Sequence, residues 1–486
     1  MSQNRPRRPV DQVIRLRRVV EMQPRVFQEQ DERRPRRALT PPFVLLYSFL
    51  GLVAIGAVLL ALPFAANQQQ STSPIVALFT ATSAVTVTGH TAVSTAEHWS
   101  YFGQAVIFVL MLVGGLGFMA AATFALLFIG QASRISQQLV LRETMGGDQL
   151  GGLRKIARNI IIVVFLIYAV GAVVLFPAIR EITDFGLLEV AWQSLFLSVS
   201  SFNNAGFSIL PEISDERSLA ILDNQWTLQG VMAFLIILGG IGWTVLVDVY
   251  RQRRFSRLSL DTKLVLVASL VLWAIGFVAF FMTDFFAISG DSNRTLLHRV
   301  GDALFHSISG RTAGFIITDF GAVEDFTKLV FTFLMLVGGA SGSVAGGIKV
   351  NTLAVIAVAV ISSIRARPQT EAFGREIPQT QISRALAIAV LSFAFIVVTV
   401  PVLTITEADA LRSGSFHFLD LFFDTVSAFA TNGSSTGVVP ELGMVGQLVF
   451  IGAMLVGRIG PLTLALTLAP QEQVLYRFAQ ERVKIG

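Results

Sequence analysis

The sequence contains no cysteine. That excludes a disulfide framework, a thiolate metal site and thiol nucleophile chemistry. Charge is scarce: Asp, Glu, Lys and Arg make up 14% of the chain, against roughly 25% in soluble domains. The five histidines (His90, His98, His298, His306 and His417) show no ligand spacing, so no metal site is expected beyond a transported ion. Paired acids, a nucleophile motif and a Walker-type phosphate loop are all missing. No loop between apolar segments is long enough for a soluble catalytic domain. An enzyme and an ATP-driven pump are therefore both disfavoured, and no organic cofactor is expected. A secretory leader is not found either. The first long apolar run starts near Pro42, after a charged arm, and continues too far for a leader.

What the chain has instead is apolar surface and glycine. It is 53% hydrophobic, with 40 glycines and 39 phenylalanines, and its mean hydropathy is +0.66. This is the composition of a polytopic helical membrane protein, in which glycine lets helices approach closely. The pI of about 9.8 reflects topology rather than nucleic-acid binding. With both termini and the loops 131–158, 250–263 and 364–384 placed inside, that side carries 28 of the 37 Lys and Arg residues. The opposite side carries seven, and Lys349 and Arg458 lie within membrane segments. This bias predicts a multi-pass plasma-membrane protein with both termini cytoplasmic. The arm, 1–40, holds eleven arginines, has a possible helix at 10–22, and reads as a topology signal or a contact for anionic lipids.

The apolar runs come in sets of long, half-length, long. The first set is 43–62, 73–85 and 101–129; the second is 156–178, 190–202 and 229–250. The third is 264–286, 300–308 and 329–364, and the fourth 385–403, 418–429 and 445–468. The long runs are long enough to cross a bilayer and the half-length ones are not. The expected fold is all-α, with eight crossings. Four pseudo-repeated helix–re-entrant loop–helix units (41–130, 154–250, 261–364 and 382–470) surround one pore. They lie between the basic cytoplasmic arm and a cytoplasmic tail, 471–486.

Each half-length run ends in small or polar residues and a glycine. The four stretches are Val85-Thr86-Val87-Thr88-Gly89-His90, Phe202-Asn203-Asn204-Ala205-Gly206-Phe207, Gly310-Arg311-Thr312-Ala313-Gly314-Phe315 and Phe429-Ala430-Thr431-Asn432-Gly433-Ser434. Their glycines are 117, 108 and 119 residues apart. One such glycine is an ordinary turn; four at matched positions are not. Irregular backbone at membrane depth must be buried or line water. Half-helices entering from outside aim their negative dipole ends at the membrane centre. Backbone carbonyls beyond them can replace a cation's hydration shell, and largely uncharged side chains disfavour a carboxylate ring. The expected filter carbonyls are those of Thr86, Val87, Thr88, Gly89, Asn203, Asn204, Ala205, Gly206, Arg311, Thr312, Ala313, Gly314, Thr431, Asn432 and Gly433.

At these residues the chain resembles the Ktr/Trk/HKT superfamily of potassium transporters. The likeness extends to the run from Gly338 to Lys349 and to Val456-Gly457-Arg458-Ile459-Gly460, covering roughly 43–470. TrkH-type subunits carry two further N-terminal crossings that are not found here, which favours the KtrB type. The resemblance implies potassium selectivity from the four glycines, a serine in the first repeat going with sodium-carrying members. It also implies a homodimer seated on a cytosolic RCK-type ring that binds ATP or ADP. That ring is expected to dock on loops 131–158 and 250–263 and on the tail. Asn432 and Ser434 depart from the family pattern, where apolar residues are commoner. Sodium as activator or co-ion stays open.

The run 329–364 is too long for one straight span. Its middle is rich in helix-weakening glycine, so a break is expected around Gly338, Gly339, Ser341, Gly342, Ser343, Gly346, Gly347 and Lys349. The resemblance makes this an intramembrane gating loop; a close-packing glycine seam is the plainer alternative. For Gly114-Gly115-Leu116-Gly117 and Gly239-Gly240-Ile241-Gly242, packing is the preferred reading. Arg458, a charge at membrane depth, is expected to face the cavity below the filter or the gating loop, with a structural pair to a carbonyl or carboxylate as the plainer alternative. The alternatives to potassium uptake are a sodium/potassium symporter of the same superfamily and an ion-coupled solute symporter. The latter would usually show two inverted halves.

Overall fold

The computed structural model describes residues 41–67, 71–132, 149–211, 221, 225–286 and 295–460. The expected arm, its helix at 10–22, most of loop 131–158 and the tail lie outside them. Between its loops the described part is helical, apart from two isolated β-bridges and one two-stranded hairpin. Its strands β1 (Glu371–Ala372) and β2 (Arg375–Glu376) pair antiparallel around Phe373 and Gly374, both at positive φ. This is a small departure from the all-α expectation. A two-residue turn with left-handed residues matches the twist of such a hairpin.

Four half-length helices are present: α2 (Pro74–Thr86), α5 (Leu187–Phe202), α9 (Leu296–Thr312) and α13 (Phe418–Ala430). Their starts are written locally. α2 opens on Pro74, whose missing N–H costs nothing at a first helical position. The Asp420 carboxylate accepts from the N–H of His417 at 3.0 Å at the start of α13, and Thr295 caps α9. α9 runs further than the sequence period suggests, because Arg311 and Thr312 at its C-terminal end are buried rather than looped out, and Thr295 caps its start.

Other helices flank each of these. α1 (Pro41–Leu60) and α3 (Tyr101–Ala132) flank α2. α4 (Gln149–Ile182) precedes α5, and α6 (Trp226–Ile241) and α7 (Trp243–Gln252) follow it. α8 (Leu260–Phe286) precedes α9, and α10 (Asp325–Leu336) and α11 (Val350–Ile364) follow. α12 (Gln379–Thr406) and α14 (Met444–Ile459) flank α13.

Among the described residues, three single helices are long and apolar enough to cross a membrane: Arg158–Ile182, Leu260–Thr283 and Gln379–Thr406. The pair α6–α7 makes a fourth only as a span bent by 96°. The sequence reading of 229–250 as one straight crossing is therefore corrected. Gly242, at φ +86°, leaves the helical region there, and the carbonyls it frees are used elsewhere. The expected break in 329–364 is present: α10 ends at Leu336 and α11 begins at Val350. Leu46–Leu60, Tyr101–Gly117, Val350–Ile364 and Met444–Ile459 are shorter apolar helices.

The packing closes on itself. α5 packs on α3, α9 on α6, α13 on α10, and α2 on α14. Each half-length helix thus rests on a helix that follows the preceding half-length helix, the first resting on the last. The apolar core is spread through these contacts, around Phe196, Leu197 and Phe202 on α5 and Phe423 and Ala428 on α13. Many side chains on the outer faces of α4, α8 and α12 are apolar and exposed, such as Val173, Leu270 and Val398. An apolar exterior around a partly polar centre is the arrangement a bilayer demands.

Candidate ion-conducting site

The four half-length helices end against one another. Gly89, Gly206, Gly314 and Gly433 have φ values of +90°, +71°, +72° and +92°, a region that side-chain-bearing residues rarely adopt. Space makes the same demand. A Cβ on Gly89 would fall on the Ala205 carbonyl oxygen, and one on Gly206 would lie 2.8 Å from that of Ala313. A Cβ on Gly314 would meet the Asn432 oxygen, and one on Gly433 the Thr88 oxygen. The carbonyl before each glycine is thus seated on the glycine of a neighbouring loop, in a closed cycle of four. The structure brings together Thr88, Gly89, Ala205, Gly206, Ala313, Gly314, Asn432 and Gly433.

The remaining filter candidates sit one step back. Thr86, Arg311 and Thr312 belong to the last turns of their helices. Val87, Asn204 and Thr431 occupy the left-handed region at φ 57°, 55° and 50°. The third loop has no such residue, and Ala313 lies at φ −124°. Its route to the glycine is one residue shorter, and α9 continues through Thr312 to compensate. The Arg311 guanidinium carbon lies 5.2 Å from the centre of the Trp273 ring, so the side chain is occupied by a cation–π contact.

Side-chain amides fasten the loops. Asn203 Oδ1 accepts from the Tyr168 hydroxyl at 2.9 Å. Asn432 Nδ2 donates to the Gly310 carbonyl at 3.0 Å, while its Oδ1 accepts from the Ser434 N–H at 3.0 Å. Asp424, fully buried, accepts from the Ser435 hydroxyl at 2.6 Å and the Thr436 N–H at 2.8 Å. Lys328 on α10 makes a buried ion pair of 2.8 Å with Asp420 and donates to the Gly321 carbonyl. The ties Tyr168–Asn203, Lys328–Asp420 and Gly310–Asn432 join residues 35, 92 and 122 positions apart and are not readable from spacing.

The glycine-rich insert between α10 and α11 lies against the same centre. The space beside Gly346 is filled by Thr431. Two of the insert's amides reach α6: Ala340 N donates to Gly240 O at 2.9 Å and Val344 N to Gly239 O at 3.3 Å. Internally, Gly338 N donates to Ile348 O at 2.8 Å, and Ser341 N donates to Asn351 Oδ1 on α11 at 2.8 Å. Gly339, Gly342, Ser343 and Gly347 complete the turn, and Lys349 Nζ donates to the Ala345 carbonyl. Arg458, 1% exposed on α14, donates to the Val344 carbonyl and, at 3.2 Å, to the Gly114 carbonyl. Its expected contact with the insert is present. Gly114 and Gly239 also pack closely on the carbonyls of Val85 and Phe202, so the packing reading of their clusters holds. Gly240 and Gly242 do more, because the helix breaks there.

Chemically, the centre offers carbonyl oxygens and four helix C-terminal ends, each worth about half a negative charge. It suits a monovalent cation stripped of water. Among the described residues, no group of three or more His, Asp or Glu is arranged for a metal ion.

A multi-pass helical protein whose centre is a cycle of backbone carbonyls belongs with cation transporters. The chain is a member of the TrkH family of cation transport proteins, which matches residues 20–476. It is not an enzyme. It is 36% identical over 447 residues to the Ktr system potassium uptake protein B of Bacillus subtilis, covering 92% of this chain and 97% of that one. It is 34% identical over 458 residues to the potassium/sodium uptake protein NtpJ of Enterococcus hirae, covering 94% and 99%. The potassium transporter TrkH of Vibrio parahaemolyticus has the same fold, with a TM-score of 0.69, 18% identity and coverage of 90% and 86%.

Proposed function

We propose that this protein takes up potassium across the plasma membrane through a carbonyl-lined filter built from four pseudo-repeated pore units, eight crossings in all. The observation that carries this reading is the cycle in which Thr88, Ala205, Ala313 and Asn432 each seat a carbonyl on the glycine of a neighbouring loop. Such a ring replaces a hydration shell with fixed dipoles. The filter is formed by Thr86–Gly89, Asn203–Gly206, Arg311–Gly314 and Thr431–Gly433. The insert from Gly338 to Lys349 is the gate beneath it, with Arg458 as the charge that holds it.

The termini are cytoplasmic on this reading, and the protein works as a homodimer on a cytosolic nucleotide-binding ring; of this, a relative named as protein B of a Ktr system supports only assembly with a further subunit. The likeness to a potassium/sodium uptake protein favours sodium/potassium symport as the second reading. Both are tested by rubidium or potassium uptake in a bacterium lacking its own potassium uptake, with and without sodium. Uptake without sodium supports the first reading, and strict sodium dependence the second. No uptake even with a matching cytosolic subunit would overturn both.

A further inference from the structure

A serine stands near the end of every half-length helix: Ser83, Ser200, Ser309 and Ser427. All four are fully buried. Each uses its backbone carbonyl alike, accepting from the chain as it turns back: Thr88 N to Ser83 O and Ala205 N to Ser200 O at 2.8 Å, Gly314 N to Ser309 O at 3.1 Å, Asn432 N to Ser427 O at 3.0 Å. These bonds satisfy orphan carbonyls of the last helical turn.

The hydroxyls behave in two different ways. Ser83 Oγ accepts from the Gly89 N–H at 3.1 Å, and Ser427 Oγ accepts from the Gly433 N–H at 3.1 Å. Ser200 Oγ instead donates to the Phe207 carbonyl at 2.7 Å, and Ser309 Oγ donates to the Phe315 carbonyl at 2.6 Å. The glycine dihedrals divide identically, with φ +90° and +92° in the first pair and +71° and +72° in the second.

In a trans peptide the N–H and C=O point in opposite directions. Holding the Gly89 N–H towards Ser83 therefore turns the Thr88 carbonyl away from the helix end, onto Gly433. Ser427 does the same for the Asn432 carbonyl, onto Gly314. In the second and third loops the hydroxyl draws back the carbonyl that follows the glycine, Phe207 or Phe315.

We propose that the filter has two kinds of wall, and that the four serines are positioning residues that set cation preference in one kind and passage in the other. In the first and fourth loops the serine aims a filter carbonyl. In the second and third it keeps a carbonyl out of the ion's path. This rests on the potassium-uptake reading, since it names the residues that shape that filter.

The test is uptake of potassium, rubidium and sodium into vesicles holding the purified full-length protein, with each serine replaced by alanine. Absence of uptake by the unmodified protein overturns the potassium reading itself. Given uptake, Ser83→Ala and Ser427→Ala are expected to raise the potassium KM and lower the potassium-to-sodium preference by about three- to tenfold, the size of one buried hydrogen bond. Ser200→Ala and Ser309→Ala are expected to act mainly on the maximal rate. Threonine and valine at each site, equal in volume but differing in the hydroxyl, repeat the test where alanine variants do not fold. Threonine is expected to keep the parent profile and valine to lose it. One common profile for all four sites, or threonine and valine behaving alike, would overturn the proposal.

Discussion

Asn432 reaches from the fourth loop to the third helix, its amide nitrogen 3.0 Å from the carbonyl oxygen of Gly310. That carbonyl belongs to the last turn of α9 and has no helical partner of its own. Asn432 is thus a clasp between two walls, its side chain committed to backbone while its own carbonyl faces Gly314.

Asn432→Leu should leave the Gly310 carbonyl and the Ser434 N–H buried and unsatisfied. The expected cost is about 1–3 kcal/mol for each group so orphaned. It should appear as a lower thermal midpoint of the purified protein in detergent, together with weaker discrimination between potassium and sodium. An unchanged midpoint would show that the clasp contributes nothing.

Gly89→Ser should act on the ion rather than on folding alone. The new side chain must occupy the place of the Ala205 carbonyl at φ +90°, where strain of about 1–3 kcal/mol is typical. A fall of about tenfold in potassium preference over sodium is expected, measured by competition against rubidium uptake. Gly51→Ala is the contrast: nothing lies within 4 Å of that site, and a helical alanine there should stabilise by about 1 kcal/mol.

Lys328→Met should be costly for a different reason. Lys328 and Asp420 are both buried, so removing the lysine strands a carboxylate. The expected loss is about 3–5 kcal/mol. Adding Asp420→Asn should recover part of it, and thermal denaturation of the single and double variants separates the two effects.

Arg458→Gln should loosen the insert, since it removes the ties to the Val344 and Gly114 carbonyls. Uptake without the cytosolic subunit is expected to rise by about two- to tenfold, the factor expected for one or two lost hydrogen bonds. Unchanged uptake kinetics in a well-expressed variant would sink the assignment.

Much of the centre was legible in the sequence. The four glycines recur at similar spacings, and the polar residues before them stand out against apolar runs. The break at Gly338–Gly347 announced itself by glycine density. The serines were passed over because serine is common near helix ends and only the direction of each hydroxyl reveals its role. The bend at Gly242 was missed because apolar periodicity continues unbroken through Trp243. The clasp at Asn432 depends on a contact across 122 positions of chain, which no local pattern records. The third loop's missing left-handed residue follows from a one-residue difference that turn composition hides.

The bend between α6 and α7 and the insert after α10 are bonded to each other, and this couples their fates. The insert's Ala340 and Val344 amides hold the Gly240 and Gly239 carbonyls. If α6 and α7 straightened into one helix, those carbonyls would be reclaimed by the N–H groups four residues on, at Thr244 and Trp243. The insert's amides would then be left without acceptors at membrane depth, where that is least tolerable. One set of hydrogen bonds thus holds both breaks open, and neither the second nor the third part of the chain could straighten here without cost to the other.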